Sequence, residues 1–221
     1  MESLDPKRIK PGRAAALILL AAWLPSCGVD YGSVANLDSP GEVVVCFGDS
    51  ITRGYGAEPG RDYPSQLSAL LGVPVVNAGK DGDTTATALE RIEEDVLSLQ
   101  PRLVVVELSG NDFLNKVPRK DTAANLARIV GACQGAGAMV VLVHAKFGLW
   151  SDPYWDDFKR IGDERGALIV RKVLSGIITN PKFMYDRIHP NADGYALIAE
   201  RVAEVVKPLL AEADKRRQGG E

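Results

Sequence analysis

Continuous apolar runs bounded by glycine and acidic residues recur along this chain. Val43-Val44-Val45-Cys46-Phe47 lies between Gly41-Glu42 and Gly48-Asp49, the pattern of a strand covered on both faces. Val73 to Asn77, Leu103 to Leu108 and Ala138 to Val143 repeat it, and a shorter run from Ala167 to Val170 makes a fifth. Between the runs, apolar residues recur three and four positions apart. Leu89, Ile92, Val96 and Leu99 do so within 85–99, with Glu90, Glu93, Glu94 and Asp95 facing outward and Thr84 available as cap. Leu126, Ile129, Val130 and Cys133 follow Asp121-Thr122; Leu67, Leu70 and Leu71 follow Tyr63-Pro64; and Ile198, Val202, Val205 and Leu209 form a stripe behind Pro190. Strands alternating with helices predict an α/β chain, a three-layer α/β/α sandwich around about five parallel strands.

The ends of the chain read differently. Lys7, Arg8, Lys10 and Arg13 precede an uncharged apolar run of 11 residues, Ala14 to Leu24. That is too short for a permanent membrane span and suited to a signal-peptide core. Leu24-Pro25-Ser26-Cys27 resembles a bacterial lipobox, so residues 1–27 are expected to be a signal peptide with lipidation at Cys27. The mature protein is then a lipoprotein on the periplasmic face of the outer membrane, the alternative being a soluble periplasmic or secreted form. Residues 28–41 are expected to be a linker, 42–212 one folded domain and 213–221 a polar tail.

Composition narrows the function classes. The chain has 221 residues, 46% hydrophobic and 25% charged, which is ordinary for one soluble globular domain. Residues 27–221 carry 22 basic against 27 acidic side chains, a net charge of -5. Without clustered Lys and Arg this is a poor nucleic-acid binder, and Lys215-Arg216-Arg217 reads as a solvated terminus. With 2 His and 3 Cys, none at ligand spacing, no metal or other cofactor is expected. Cys46 and Cys133 read as buried thiols.

In open α/β sheets, ligands bind beyond the carboxyl ends of the strands. Four polar segments fall there: Gly48-Asp49-Ser50-Ile51-Thr52, the stretch Asn77 to Thr84, Ser109-Gly110-Asn111-Asp112, and Asp186-Arg187-Ile188-His189-Pro190. Acyl transfer needs a hydroxyl nucleophile, a base near neutral pKa, a group fixing the base's tautomer, and donors for the oxyanion. Ser50 can serve as nucleophile on a strand-to-helix turn, His189 as base and Asp186 as its orienting acid. The Asn111 amide with the N–H groups of Gly79 and Ser50 would make the oxyanion hole.

These blocks are recognisable. Gly48-Asp49-Ser50-Ile51 resembles the GDSL block, and Ser50, Gly79, Asn111 and His189 match in order the residues that name the SGNH hydrolase superfamily. Asn77-Ala78-Gly79 with Gly82-Asp83-Thr84-Thr85, and Val104 to Leu108 leading into Gly110-Asn111-Asp112, resemble the bacterial periplasmic thioesterase, lysophospholipase and arylesterase branch. The resemblance, over about Val43 to Leu210, implies a flavodoxin-like fold and metal-free hydrolysis of acyl esters, thioesters or lysolipids through an acyl-enzyme. It also implies that Asp49 orders the nucleophile turn and that Asp112 supports the Asn111 loop. A carbohydrate or peptidoglycan O-acetylesterase is the alternative; a non-catalytic lipid-tethered binding domain is a remote one.

The chain departs from that branch at Ser109, where glycine is usual, at Lys80, where a small polar residue is usual, and over His144 to Asp157. Lys80, His144, Phe147 and Trp150 are candidate substrate contacts. For Lys80 the plainer reading is a solvated ammonium, and for His144 a hydrogen-bonded loop histidine. The aromatic group Phe147, Trp150, Tyr154 and Trp155 either walls an acyl pocket or closes the core at the sheet edge.

Overall fold

The structure is a computed structural model that describes residues 30–146 and 152–219. The expected signal peptide, Cys27 and the candidate contacts Phe147 and Trp150 lie outside the described residues. Five strands form one parallel sheet: β1 (Val43–Gly48), β2 (Val75–Gly79), β3 (Pro101–Glu107), β4 (Met139–Val143) and β5 (Leu168–Val170), in the order β2-β1-β3-β4-β5. The expected sandwich is therefore present. β2 begins two residues later than its apolar run suggests, after Pro74, which has no N–H to give to a ladder. β3 begins at Pro101, which pairs with Val43 at an irregularity in the register.

The period of two sorts the strand side chains into two cores. Val44 and Cys46, Leu103 and Val105, and Met139, Val141 and Val143 face one layer. That layer is completed by α2 (Tyr63–Leu71) and α7 (Ala192–Gly219). Val45 and Phe47, Val104 and Val106, and Val140 and Leu142 face the other, against α3 (Thr85–Asp95), α5 (Arg119–Gly135) and α6 (Trp155–Arg165). Two short helices, α1 (Ser50–Arg53) and α4 (Gly110–Leu114), open directly after β1 and β3. Cys46 and Cys133 are buried free thiols in opposite layers, and burial pushes the Cys133 thiol up to about 12. In α7 it is Val206, not Val205, that is fully buried on the stripe.

Both expected boundary segments are packed. Residues 30–41, expected as a linker, place Val34 and Leu37 in the core, 7% and 4% exposed. The Asn36 amide donates to the carbonyls of Gln134 (2.8 Å) and Ala138 (3.0 Å). Two apolar residues spaced among polar ones carry too little periodicity to be read as packed, yet they join one of the two cores. The tail also differs from expectation: α7 continues through it to Gly219, with Ala213 buried. Arg217 reaches Glu42 at 2.8 Å and the Pro40 carbonyl.

The order of the strands fixes where chemistry can occur. The chain steps from β1 to β2 on one side and then to β3 on the other, so a crevice opens between the carboxyl ends of β1 and β3. The turn after β3 carries strain: Ser109 has φ +113°, a region L-residues avoid. It is buried, and its Oγ finds no hydrogen-bond partner among the described residues. Ser109→Gly is therefore expected to stabilise the fold by about 1 kcal/mol, read as a rise in thermal midpoint of about 3 °C; a fall would contradict the strain. Leu37→Ala should cost about 2–4 kcal/mol in urea unfolding, whereas a solvated linker would lose no more than about 0.5 kcal/mol.

Candidate active site

β1 ends in a glycine because nothing larger fits: a Cβ on Gly48 would overlap the Thr52 hydroxyl and the Glu107 carbonyl. Asp49 then caps α1, its carboxylate accepting the Ile51 N–H at 2.9 Å. Ser50 opens the helix, which lasts one turn before Gly54 reverses the chain in the left-handed region. The hydroxyl of Ser50 thus stands at a helix N-terminus over the crevice.

The histidine arrives from a loop closed on itself. Met184 and Pro190 form an isolated antiparallel bridge, and the Tyr185 N–H donates to the His189 carbonyl at 2.9 Å. Inside this hairpin, one Asp186 oxygen accepts the N–H groups of Ile188 and His189, each at 2.8 Å. The other lies 2.8 Å from His189 Nδ1. Slight burial works against the Asp186 anion, but the imidazole and the two N–H donors outweigh it and hold the carboxyl down to about 2. An acceptor at Nδ1 places the ring proton there. Nε2 is then left as acceptor for the Ser50 hydroxyl, 3.0 Å away. Tyr55 lies over the imidazole at 4.4 Å between centroids, and the Tyr195 hydroxyl pins the Tyr55 carbonyl at 2.9 Å.

The third segment supplies the amide. Asn111 Nδ2 donates to the Asp83 carbonyl (2.9 Å) and to Asp49 Oδ2 (3.2 Å); the second, longer bond is the one that an oxyanion could replace. Asp112 is fully buried. It accepts from Thr85 N–H (2.8 Å), Thr85 Oγ (2.6 Å) and Thr122 Oγ (3.1 Å), which ties α4 to α3 and α5. Beneath Asp49 sits Glu107, 2% exposed, accepting from Thr52 Oγ at 3.2 Å. Burial raises the Asp49 carboxyl to about 6 and, with the Asp49 charge beside it, drives Glu107 well above the usual range. The pair is therefore singly ionised at neutral pH.

Gly79 does not occupy the place expected of an oxyanion donor. Its N–H is bonded to Asn77 Oδ1 at 2.9 Å, and the space a side chain would fill is taken by the backbone of Thr52 and Arg53. Its lack of a side chain serves the packing of α1 on β2. The candidate donor left in this segment is Gly82, in the left-handed region at φ +78°. It stands one residue before the carbonyl that holds Asn111. The N–H groups of Ser50 and Gly82 donate to no group among the described residues. The signal was present in Gly82-Asp83, a glycine where a turn reverses before a helix cap.

Ser50, Asn111 and His189 line a cavity of about 570 Å³. Its walls are largely apolar: Ile51, Phe113, Leu114, Leu174, Ile178 and Ile188. Much of this wall comes from the segment after β5, residues 172–179, which has no periodicity to mark it. Lys80 is exposed and does not line the cavity. His144 also fails as a substrate contact: it is 0% exposed, with Nε2 3.0 Å from Asp152 and Nδ1 accepting the Lys172 N–H at 3.3 Å. Burial lowers its pKa and keeps the ring neutral. Of the aromatic group, Tyr154 is buried in the core and Trp155 stacks edge-on against His144, so these two close the sheet edge.

Known proteins are similar to this chain in sequence and in fold. The GDSL-like Lipase/Acylhydrolase family matches residues 46–197. An arylesterase of Vibrio mimicus is 32% identical over 180 residues, covering 76% of this chain and 90% of that protein. Thioesterase 1/protease 1/lysophospholipase L1 of Escherichia coli strain K12 is 28% identical over 177 residues, covering 76% and 85%. Among solved structures, TesA superposes with a TM-score of 0.70 at 28% identity over 76% of this chain and 99% of that one. The fold is also that of the psychrotrophic esterase EstA from Pseudoalteromonas sp., with a TM-score of 0.70 at 24% identity over 77% and 99%. The chain therefore belongs to the GDSL-like lipase/acylhydrolase family and is a serine hydrolase of carboxylic esters or thioesters.

Proposed function

We propose that this hydrolase cleaves arylesters, lysolipids or acyl thioesters of medium chain length through an acyl-enzyme on Ser50. The observation that carries the reading is the unbroken relay from Ser50 Oγ through His189 to Asp186, with steps of 3.0 and 2.8 Å, opening into an apolar cavity. His189 Nε2 takes the Ser50 proton as Oγ attacks the acyl carbonyl, and Asp186 stabilises the imidazolium without accepting its proton. Charge developing on the carbonyl oxygen is met by the N–H of Ser50, the Asn111 amide and the N–H of Gly82. The imidazolium returns the proton to the departing alcohol or thiol. Water, deprotonated by the same imidazole, then releases the carboxylic acid.

The acyl-length assignment rests on the cavity. An acetyl group would leave most of about 570 Å³ empty of contacts, whereas a longer chain covers Phe113 and Ile178, 41% and 39% exposed. A p-nitrophenyl ester series from acetate to palmitate tests this: kcat/KM should peak beyond butyrate, and activity confined to acetate would favour the O-acetylesterase. Export and lipidation at Cys27 extend the proposal on the sequence alone, and incorporation of labelled palmitate, lost in Cys27→Ala, is the check.

Ser50→Ala is expected to lower kcat by at least about 10⁴-fold with the fold intact by circular dichroism, and Asn111→Ala by about 10²–10³-fold. A retained rate in either would remove its assigned role. Asp49 makes a prediction of opposite sign to a surface carboxylate. Its folded pKa of about 6 lies above the unfolded value of about 3.9. Its contribution to stability is therefore full below about pH 4 and is lost as pH rises through about 6. Urea unfolding should show that decline between about pH 4 and 6, and Asp49→Asn should make it shallower; an unchanged slope would contradict the shift.

A further inference from the structure

We infer that Arg91 is a positioning residue for the hydrolysis. Its guanidinium clamps the turn that carries the Gly82 N–H and the Asp83 carbonyl to the end of β1, and so sets the geometry of the oxyanion donors. The inference rests on the oxyanion assignment made above and goes beyond it, because Arg91 does not line the cavity and acts through groups that do the binding.

Arg91 stands two turns into α3, its side chain 11% exposed, and every arm of its guanidinium is used. Nε–H donates to Asp83 Oδ2 at 2.5 Å and Nη1 to Asp95 Oδ2 at 2.7 Å. Nη2 donates to backbone carbonyls on two strands, Gly48 at 3.1 Å and Ala78 at 3.0 Å. The central carbon lies 4.6 Å from the centroid of the Phe47 ring. One side chain therefore joins the last residue of β1, the end of β2 and the turn behind it. Two carboxylates share this guanidinium, so its charge is compensated where it stands and its contribution is geometric. A lysine could not reproduce it: an ammonium is a point charge, whereas the planar fork spans its acceptors at fixed angles.

What the clamp holds is the turn from Lys80 to Asp83. The Lys80 N–H donates to the same Gly48 carbonyl at 3.0 Å, and the Asp83 N–H closes the turn on the Lys80 carbonyl at 3.3 Å. Gly82 sits inside it at φ +78°. One end of the turn is thus tied to β1 directly, and the other through the Asp83 carboxylate and Arg91. Asp83 is 3% exposed. Its Oδ1 accepts the Thr87 hydroxyl at 3.0 Å, and its carbonyl accepts Asn111 Nδ2 at 2.9 Å. A turn free to move at Asp83 would displace the Gly82 N–H and the Asn111 amide together, and oxyanion donors are effective only when fixed before charge develops. Gly48 also precedes Asp49 and Ser50, so all three donors are referred to one anchored peptide.

The test is steady-state hydrolysis of p-nitrophenyl butyrate by the purified protein, at a temperature well below the thermal midpoint of every variant. Arg91→Met should lower kcat by about 10- to 100-fold with KM within about twofold, because oxyanion contacts strengthen in the transition state. Arg91→Lys keeps the charge but not the fork, and should still lose at least about fivefold in kcat. In an Asn111→Ala background, Arg91→Met should cost less than about threefold, since a donor that it positions is already gone. Leu37→Ala is the stability control: it loosens the core layer opposite α3 and should leave kcat unchanged.

The inference is overturned if Arg91→Met or Arg91→Lys turns over at the wild-type rate, or if the loss falls on KM instead of kcat. It is also overturned if the loss adds in full to that of Asn111→Ala, or if Leu37→Ala lowers kcat as much. Should Arg91→Met not fold, Arg91→Lys carries the same comparisons. Asn111→Ala measured alone keeps the two readings apart: a wild-type rate there removes the oxyanion assignment, whereas a loss there with none at Arg91 removes only the clamp.

Discussion

The parallel pairing of β1 with β2 on one side and β3 on the other is the constraint on which this protein depends. β1 and β3 are covered on both faces, with their ladder bonds and apolar side chains committed within the sheet, while β2 is a partly exposed edge strand, so the polar sequence after β1 and β3 has only the ends of the sheet to occupy. Because all strands run the same way, every strand-to-helix turn leaves at the same end. The reversal of strand order at β1 then separates the turns after β1 and β3 just enough to leave a crevice. Ser50 and Asn111 meet there although 61 positions separate them in the chain.

What is built at that edge runs against local stability. Asp49 and Glu107 put two carboxyls in one buried place, a cost moderated by shared protonation and by donors from Ile51, Asn111 and Thr52. Ser109 bends through a strained conformation to turn Asn111 toward the crevice, and Lys172 does the same at the opposite wall. Two of the five described side-chain-bearing residues at positive φ, Ser109 next to Gly110 and Lys172 in the wall, accompany these carboxyls at one cavity. Strain and buried charge concentrated in one place are the marks of a site held rigid for chemistry. The sandwich beneath, with its two continuous cores, supplies the excess stability that lets them persist.

Legibility followed periodicity. The strands and long helices were readable because burial imposes a repeat of two or of three to four on them, and the turn residues after β1 and β3 stood out against those repeats. Residues 30–41 and 172–179 have no such repeat. Nothing in the local sequence therefore marks Val34 and Leu37 as core or Leu174 and Ile178 as cavity wall. His144 was singled out by residue type, but its burial and its partners depend on Asp152, Trp155 and Lys172, none of which local sequence ties to it. Gly79 was chosen from its place in a pattern, while the packing of Arg53 against it and the freedom of the Gly82 N–H are properties of the folded turn.

The sequence by itself determined the layers, the sheet edge at which chemistry lies, and the hydroxyl, imidazole, carboxylate and amide available there, because strand and helix periods and the chemistry of acyl transfer are local and general. Tertiary structure alone decided which backbone N–H is left unbonded beside Asn111, which walls bound the cavity, and that His144 is buried against Asp152. Those outcomes depend on distances between segments far apart in the chain. A few ångströms there separate a hydrogen bond from none, and no repeat in the sequence encodes them.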